Sequence, residues 1–219
     1  MKIEQFASNL VLDASDSMYP TVLSTHAKGE TEYTDIASTY YGIVLSGEVE
    51  LARSNMPSSS LCEGMYFSAT GPFKLKGTAE VVLIRRIGYR GLFTVGGPVE
   101  KQGRLVYIDN CSTSILIPPA RMGEPVFNLL VFPPNIEQTM HIHPTIRMGV
   151  VLSGSGKCIT PKGAPIPLTP RNAFYLPETA AHCFHSGDKG MVIIAYHPDS
   201  EGGPTDENHP MLNRTYTKF

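Results

Sequence analysis

The 219-residue sequence contains no apolar run of the about 18 residues that a membrane-spanning helix requires. Its first residues, from Met1 to Phe6, also lack the uninterrupted apolar segment of a signal peptide, so a cytoplasmic location is expected. The 18 Lys and Arg residues nearly balance the 20 Asp and Glu residues, and like charges do not form runs. This balance argues against a nucleic-acid or membrane surface and predicts a small-molecule partner.

The cysteines are few and are not spaced as a metal or redox motif. Cys62, Cys111, Cys158 and Cys183 form no CxxC pair, so neither a zinc knuckle nor a redox dithiol is indicated. Cys183 follows His182 directly, but side chains alternate along a strand, so the thiol is predicted to point away from that histidine.

Helical periodicity is also nearly absent. The sequence has 20 glycines and 18 prolines between short valine and isoleucine runs, a composition typical of an all-β chain of short strands and tight turns. Strands are predicted at Val81–Ile84, Arg104–Ile108, Val126–Phe132 and Met191–Tyr196, with a turn at Asp109 and Asn110.

Two histidines at positions i and i+2 are the most informative feature. On an extended segment His141 and His143 project to the same side, so two imidazoles share one pocket. A third, His182, follows a proline-marked turn at the start of another predicted strand. If that strand lies beside the first, the three imidazoles form a set that suits several divalent metals.

These residues resemble the two motifs of the cupin family. The first motif is HxH, three or four residues, Glu, six residues and Gly, and it matches His141, His143 and Gly154, with Arg147 in place of Glu. The second is PxG, two residues, His, three residues and Asn, and it matches Pro177 and His182, with Thr179 for Gly and Ser186 for Asn. The resemblance implies a jelly-roll β-barrel that holds a divalent ion (Fe, Zn, Mn, Ni or Cu) through His141, His143 and His182.

Arg147 is the most informative departure from the motif. Arginine stays protonated and has no acceptor lone pair, so it cannot replace the glutamate as a ligand. If the guanidinium points into the barrel, it can hold an anionic substrate beside the metal, which makes Arg147 the candidate catalytic residue. The alternative is that Arg147 bends outward and pairs with a surface acid.

The chain also contains an internal repeat. The segment around Gly42 resembles that around Gly149, a shift of 107, and Gly64–Phe67 resembles Asn172–Tyr175, a shift of 108, which implies one inserted residue. The prediction is therefore a bicupin of two barrels, a degenerate N-terminal half over residues 1–111 and a metal-binding half with an irregular tail over residues 112–219. In this register Thr34, Ile36 and Lys74 of the first half correspond to His141, His143 and His182, and Tyr40 corresponds to Arg147. These four residues form no ligand set.

The remaining histidines are interpreted as peripheral. His26 is predicted to be a solitary surface residue, and His185 to lie at the surface or behind the ligands. His197 and His209, near Asp206 and Glu207, are assigned to a solvated extension, with a second metal site as the alternative.

The leading functional hypothesis is a metal-dependent, dioxygenase-like enzyme that acts on a small anionic organic substrate. The rival is a non-catalytic or sensory cupin that binds a sugar or a carboxylate, and a metal-dependent isomerase stays open. Duplicated cupins often associate through edge strands, so a homodimer is a further expectation.

Overall fold

The computed structural model describes residues 1–199, and these form 18 β-strands and one short 3-10 turn at Ile108–Asn110. In chain order the strands are β1 (Lys2–Gln5), β2 (Val11–Ala14), β3 (Thr21–His26), β4 (Gly29–Tyr33), β5 (Thr39–Ser46), β6 (Glu48–Arg53), β7 (Ser59–Cys62), β8 (Tyr66–Thr70), β9 (Phe73–Gly77), β10 (Glu80–Arg86), β11 (Thr94–Gly96), β12 (Leu105–Val106), β13 (Ser112–Ile117), β14 (Val126–Phe132), β15 (Arg147–Ile159), β16 (Ile166–Leu168), β17 (Asn172–Leu176) and β18 (Cys183–His197).

The all-β prediction is confirmed, and the predicted strands all appear. β14 has the predicted bounds, whereas the strand expected at Arg104–Ile108 is shorter because the chain enters the 3-10 turn at Ile108. Within the described residues, no helix is long and apolar enough to cross a membrane.

The strands form three open sheets. The largest has eight strands in the order β1-β17-β15-β18-β14-β13-β12, with β16 paired to β15. A six-stranded sheet has the order β11-β8-β5-β10-β3-β2, and a four-stranded sheet the order β4-β9-β6-β7. The first strand of the chain therefore pairs within the sheet that the second half of the chain builds.

A continuous hydrophobic core joins the two larger sheets. It contains buried residues from both halves of the chain, and the ring of Tyr41 lies 5.1 Å from that of Tyr196 and 6.0 Å from that of Phe127. Burying apolar area at about 25 cal/mol per Å² is the main favourable term that holds the sheets together. Two further clusters lie within the first and the second half respectively.

Strand pairing recurs in the two halves with one constant separation. Gly42 pairs with Phe67 and Gly149 pairs with Phe174, so both residues of the pair recur 107 positions later. The separation of 108 predicted for the second part of the repeat, and with it the inserted residue, is therefore wrong. The register is fixed by sterics, because a Cβ on either glycine would overlap the ring of its phenylalanine partner.

The predicted counterparts of two histidines adjoin one pair of the first half. Tyr33 pairs with Phe73, and Thr34 and Lys74 each follow one of these residues in the sequence. The assignment of Thr34 to His141 and of Lys74 to His182 stays a prediction. Tyr40 does correspond to Arg147, since these two residues pair with Ala69 and Leu176, again 107 positions apart.

Candidate metal centre

His141 and His182 face each other across an antiparallel bridge. The N–H of each donates to the carbonyl oxygen of the other, and both N···O distances are 3.0 Å. His141 and His143 lie on an extended segment before β15 rather than in a regular strand, and the His143 carbonyl accepts the N–H of Thr179 at 2.8 Å. These backbone bonds tie the HxH segment to the turn that carries the third histidine.

The three imidazoles converge as predicted. Their ring centroids are 4.9 Å apart for His141 and His143, 4.8 Å for His141 and His182, and 5.2 Å for His143 and His182. One ring nitrogen from each lies within 4.8 Å of the others, and within residues 1–199 this is the one such group of His, Cys, Asp or Glu side chains. The group could hold a metal ion.

Backbone carbonyls fix which nitrogen of two rings is available. Nδ1 of His141 lies 2.7 Å from the Thr139 carbonyl oxygen, and Nδ1 of His182 lies 2.7 Å from that of Ala180. A carbonyl can only accept, so each Nδ1 is the protonated donor and each Nε2 keeps a free lone pair. Histidines that ligate metals are held in the same way.

The surroundings also keep these rings neutral. Burial is the main cause, and nearby positive charge a smaller one, of a lowering of the pKa of His182 to about 4. Burial likewise lowers the pKa of His141. Neutral imidazole is the form that binds a metal, so both rings are ready to ligate at neutral pH.

Arg147 is buried beside the histidines. One terminal nitrogen, Nη1, donates to the Thr145 carbonyl at 3.0 Å, to the Thr145 hydroxyl at 2.6 Å and to the Ile146 carbonyl at 2.8 Å. Thr145 is itself held by Asp199, whose carboxylate accepts the hydroxyl at 2.7 Å. This burial favours the inward orientation of Arg147 over the outward one.

The histidines and Arg147 line a small cavity of about 20 Å³, which is room for about one water molecule. The rest of its wall consists mainly of apolar and aromatic side chains. These further lining residues are Tyr107, Leu130, Phe132, Gln138, Phe174, Leu176, Phe184, Ile193, Ala195 and His197. Tyr175, next to Phe174 in β17, instead packs against the core between the sheets.

Three polar lining residues were missed or misassigned. His197 was placed in a solvated extension, but it ends β18 and its ring lies 6.5 Å from that of His143. The signal was present, because Ile193, Ala195 and His197 alternate along one strand and share its inner face. Tyr107 and Gln138 carried no comparable pattern.

The other histidines lie away from the group. His26 is buried, not at the surface as predicted, because it pairs with Val81 inside a sheet and its Nδ1 lies 3.3 Å from the Tyr33 hydroxyl. His185 contacts the Cys183 thiol at 3.4 Å. His209, with Asp206 and Glu207, lies outside the described residues.

Aromatic packing occupies the matching place in the first half. Tyr33 stacks on Phe73 with centroids 4.8 Å apart, and Tyr40 packs edge-on against both rings at 5.3 Å. These side chains fill this place with packed rings.

Comparisons with known proteins find relatives by structure. A cupin 2 conserved barrel domain protein from Leptotrichia buccalis superposes with a TM-score of 0.65 at 13% identity, over 90% of this chain and 96% of that one. The fold is that of cupin barrel proteins. No protein-family model and no curated protein matches the sequence.

Two enzymes of known activity share this cupin-like fold. Oxalate decarboxylase from Bacillus subtilis, described with Mn(II) centres, has a TM-score of 0.55 at 12% identity, over 91% of this chain and 80% of its own. A variant of salicylate 1,2-dioxygenase from Pseudoaminobacter salicylatoxidans has a TM-score of 0.62 at 8% identity, over 81% and 69%. Identities this low establish the fold alone.

The depressed pKa of His182 predicts how stability responds to acid. The unfolded chain takes up a proton near pH 6.5 and the folded chain only near pH 4, so stability is complete above pH 6.5 and falls between these values. His182 is buried, so its share of the loss reaches about 3 kcal/mol.

Urea unfolding of the EDTA-treated protein at pH 7.5, 5.5 and 4.5 tests this prediction. The free energy of unfolding should depend less on pH for His182→Gln than for wild type. His185→Gln is the control and should keep the wild-type slope; equal slopes in all three proteins would contradict the prediction.

Proposed function

We propose that this protein binds one divalent metal through His141, His143 and His182 and is a metal-dependent enzyme acting on a small anionic organic substrate. The observation that carries the proposal is the convergence of three imidazoles beside the buried guanidinium of Arg147. An ion with three protein ligands keeps open positions, where it supplies Lewis-acid or oxygen-activating chemistry. The residues of the chain bind, orient and enclose the substrate.

The proposal includes a bicupin organisation, with barrel-like halves over residues 1–111 and 112–219. The support is the constant separation of 107 positions, which extends to the backbone. The N–H of Gly64 donates to the Val44 carbonyl at 2.9 Å, and that of Arg171 to the Val151 carbonyl at 2.8 Å. Gly64 and Arg171 also share a left-handed φ, of 78° and 73°. A side chain is costly in this conformation, so its repetition favours duplication.

An anionic substrate follows from the charges in the pocket. A buried guanidinium and a divalent ion repel each other unless an anion lies between them. Arg147 is fixed by bonds from one terminal nitrogen, which places its charge at the pocket wall. Oxalate and salicylate, named for two fold neighbours, are both carboxylates.

The reaction class we favour is dioxygenase-like. The described lining contains no Asp or Glu, so it offers no carboxylate base for an isomerase. The same observation also fits the second candidate, a cupin that binds a carboxylate or a sugar without catalysis. A cytoplasmic location and a homodimer remain predictions.

Oxygen uptake separates the enzyme from the binder. Protein loaded with Fe(II) or Mn(II) and offered a panel of small carboxylic and phenolic acids should consume oxygen with at least one of them. A protein that binds a carboxylate from this panel, consumes no oxygen and leaves the acid chemically unchanged would contradict catalysis and support the binding alternative.

The metal content of histidine variants tests the ligand set. Wild type should hold about one metal per chain, and His141→Ala, His143→Ala and His182→Ala should each lose most of it, because each imidazole is one of three protein bonds. Elemental analysis after purification gives the content. His185→Ala is the matched control and should retain the metal; equal retention in all four variants would remove the site.

Carboxylate binding tests Arg147. In the metal-loaded protein Arg147→Met should weaken carboxylate affinity about 30-fold or more, because losing one partner of a buried charge pair costs about 2 kcal/mol or more. Calorimetric titration with oxalate and salicylate measures this effect, and metal content should stay unchanged. Arg147→Lys keeps the charge and should lose less; unchanged affinity in both variants would remove the anionic-substrate proposal and leave the metal site standing.

A further inference from the structure

The segment that connects the two halves reaches the metal-binding histidines. Within it the backbone closes a tight loop, in which Tyr107 N–H donates to the Cys111 carbonyl at 2.9 Å and Cys111 N–H to the Ile108 carbonyl at 3.1 Å. Asp109 and Asn110 both have left-handed backbones, with φ of 54° and 62°. Such conformations cost free energy, and they persist where the surrounding structure imposes them.

This loop places the Asp109 carboxylate against Thr139. One oxygen, Oδ2, accepts the Thr139 N–H at 2.6 Å, and the other, Oδ1, accepts the Thr139 hydroxyl at 3.1 Å. The two residues lie 30 positions apart, so the contact bridges the connecting segment and the segment that carries His141. Bonds to a charged acceptor are about twice as strong as neutral ones.

Thr139 passes this constraint to His141. Its carbonyl oxygen accepts the Nδ1–H of His141 at 2.7 Å, which is the bond that turns Nε2 toward the other two imidazoles. Thr139 is otherwise an exposed residue, so little packing holds its carbonyl in place.

We propose that Asp109 is a positioning residue for the metal centre, which acts through Thr139 to hold His141 in the tautomer and orientation that ligation requires. The inference rests on the proposed function, in which His141 is a ligand. Ala180, the equivalent partner of His182, is held differently, because its N–H donates to the Pro177 carbonyl within the same turn at 3.3 Å. The constraint from Asp109 is therefore specific to His141.

Two Asp109 variants and one control test the proposal. Asp109→Ala removes both contacts with Thr139, and Asp109→Asn keeps the shape of the side chain but loses the charge and one acceptor. Asp188→Ala is the matched control, because Asp188 is an exposed carboxylate for which the structure shows no hydrogen bond or ion pair among the described residues. If Asp109→Ala does not fold, the Asn variant carries the comparison.

The first measurement needs no metal. In the metal-free protein at pH 8, ¹⁵N chemical shifts report the tautomer of each histidine. Wild type and Asp188→Ala should show His141 protonated at Nδ1 alone, whereas Asp109→Ala should show a mixture of tautomers at His141 and an unchanged His182. A merely structural role for Asp109 would not change one histidine and leave the other.

The second measurement is titration with Co(II). Asp109→Ala should bind it about tenfold more weakly than wild type, in the range seen when residues that orient metal ligands are removed, with Asp109→Asn between the two. A wild-type affinity together with a single His141 tautomer in Asp109→Ala would overturn the proposal. If wild type itself binds no Co(II), the proposed function fails, and the tautomer measurement alone still decides whether Asp109 positions His141.

Discussion

The antiparallel bridge between His141 and His182 is the contact on which the candidate centre depends. Two reciprocal backbone hydrogen bonds of 3.0 Å bring together segments that are 41 positions apart, and the side chains then meet because bridge partners lie side by side. His143 joins them because it lies two residues from His141. Carbonyls two residues before His141 and His182 set both tautomers, so the backbone itself prepares the ligands.

The two halves share a scheme of strand pairing but carry different side chains on it. The second half has His141 and His182 in its bridge, and the first half has Tyr33 and Phe73 as a strand pair whose rings stack on each other. Aromatic stacking and metal ligation both use facing side chains on paired strands, so one pairing scheme serves a packed core or an open site. Under the proposed duplication, the first half contributes stability and the second half contributes the chemistry.

Motif spacing and the alternation of side chains predicted the features that depend on residues close together in the sequence. The three histidines, the all-β class and the bounds of β14 follow from motif spacing and alternation. The burial of His26 could not be predicted, because it depends on pairing with a strand more than 50 positions away. Asp109 acts through a residue 30 positions distant, which no sequence pattern signals. His197 is different: its alternation with Ile193 and Ala195 was visible, but the polar sequence that follows it outweighed that signal.

The most direct test of this account is the position of the metal itself. Crystals grown from protein loaded with Zn(II) or Mn(II) and measured at the absorption edge of that metal should show one anomalous peak per chain. The account predicts that the peak lies about 2.0 to 2.2 Å from Nε2 of His141, His143 and His182, as expected for imidazole ligands. No peak, a peak elsewhere, or contact through Nδ1 would contradict it.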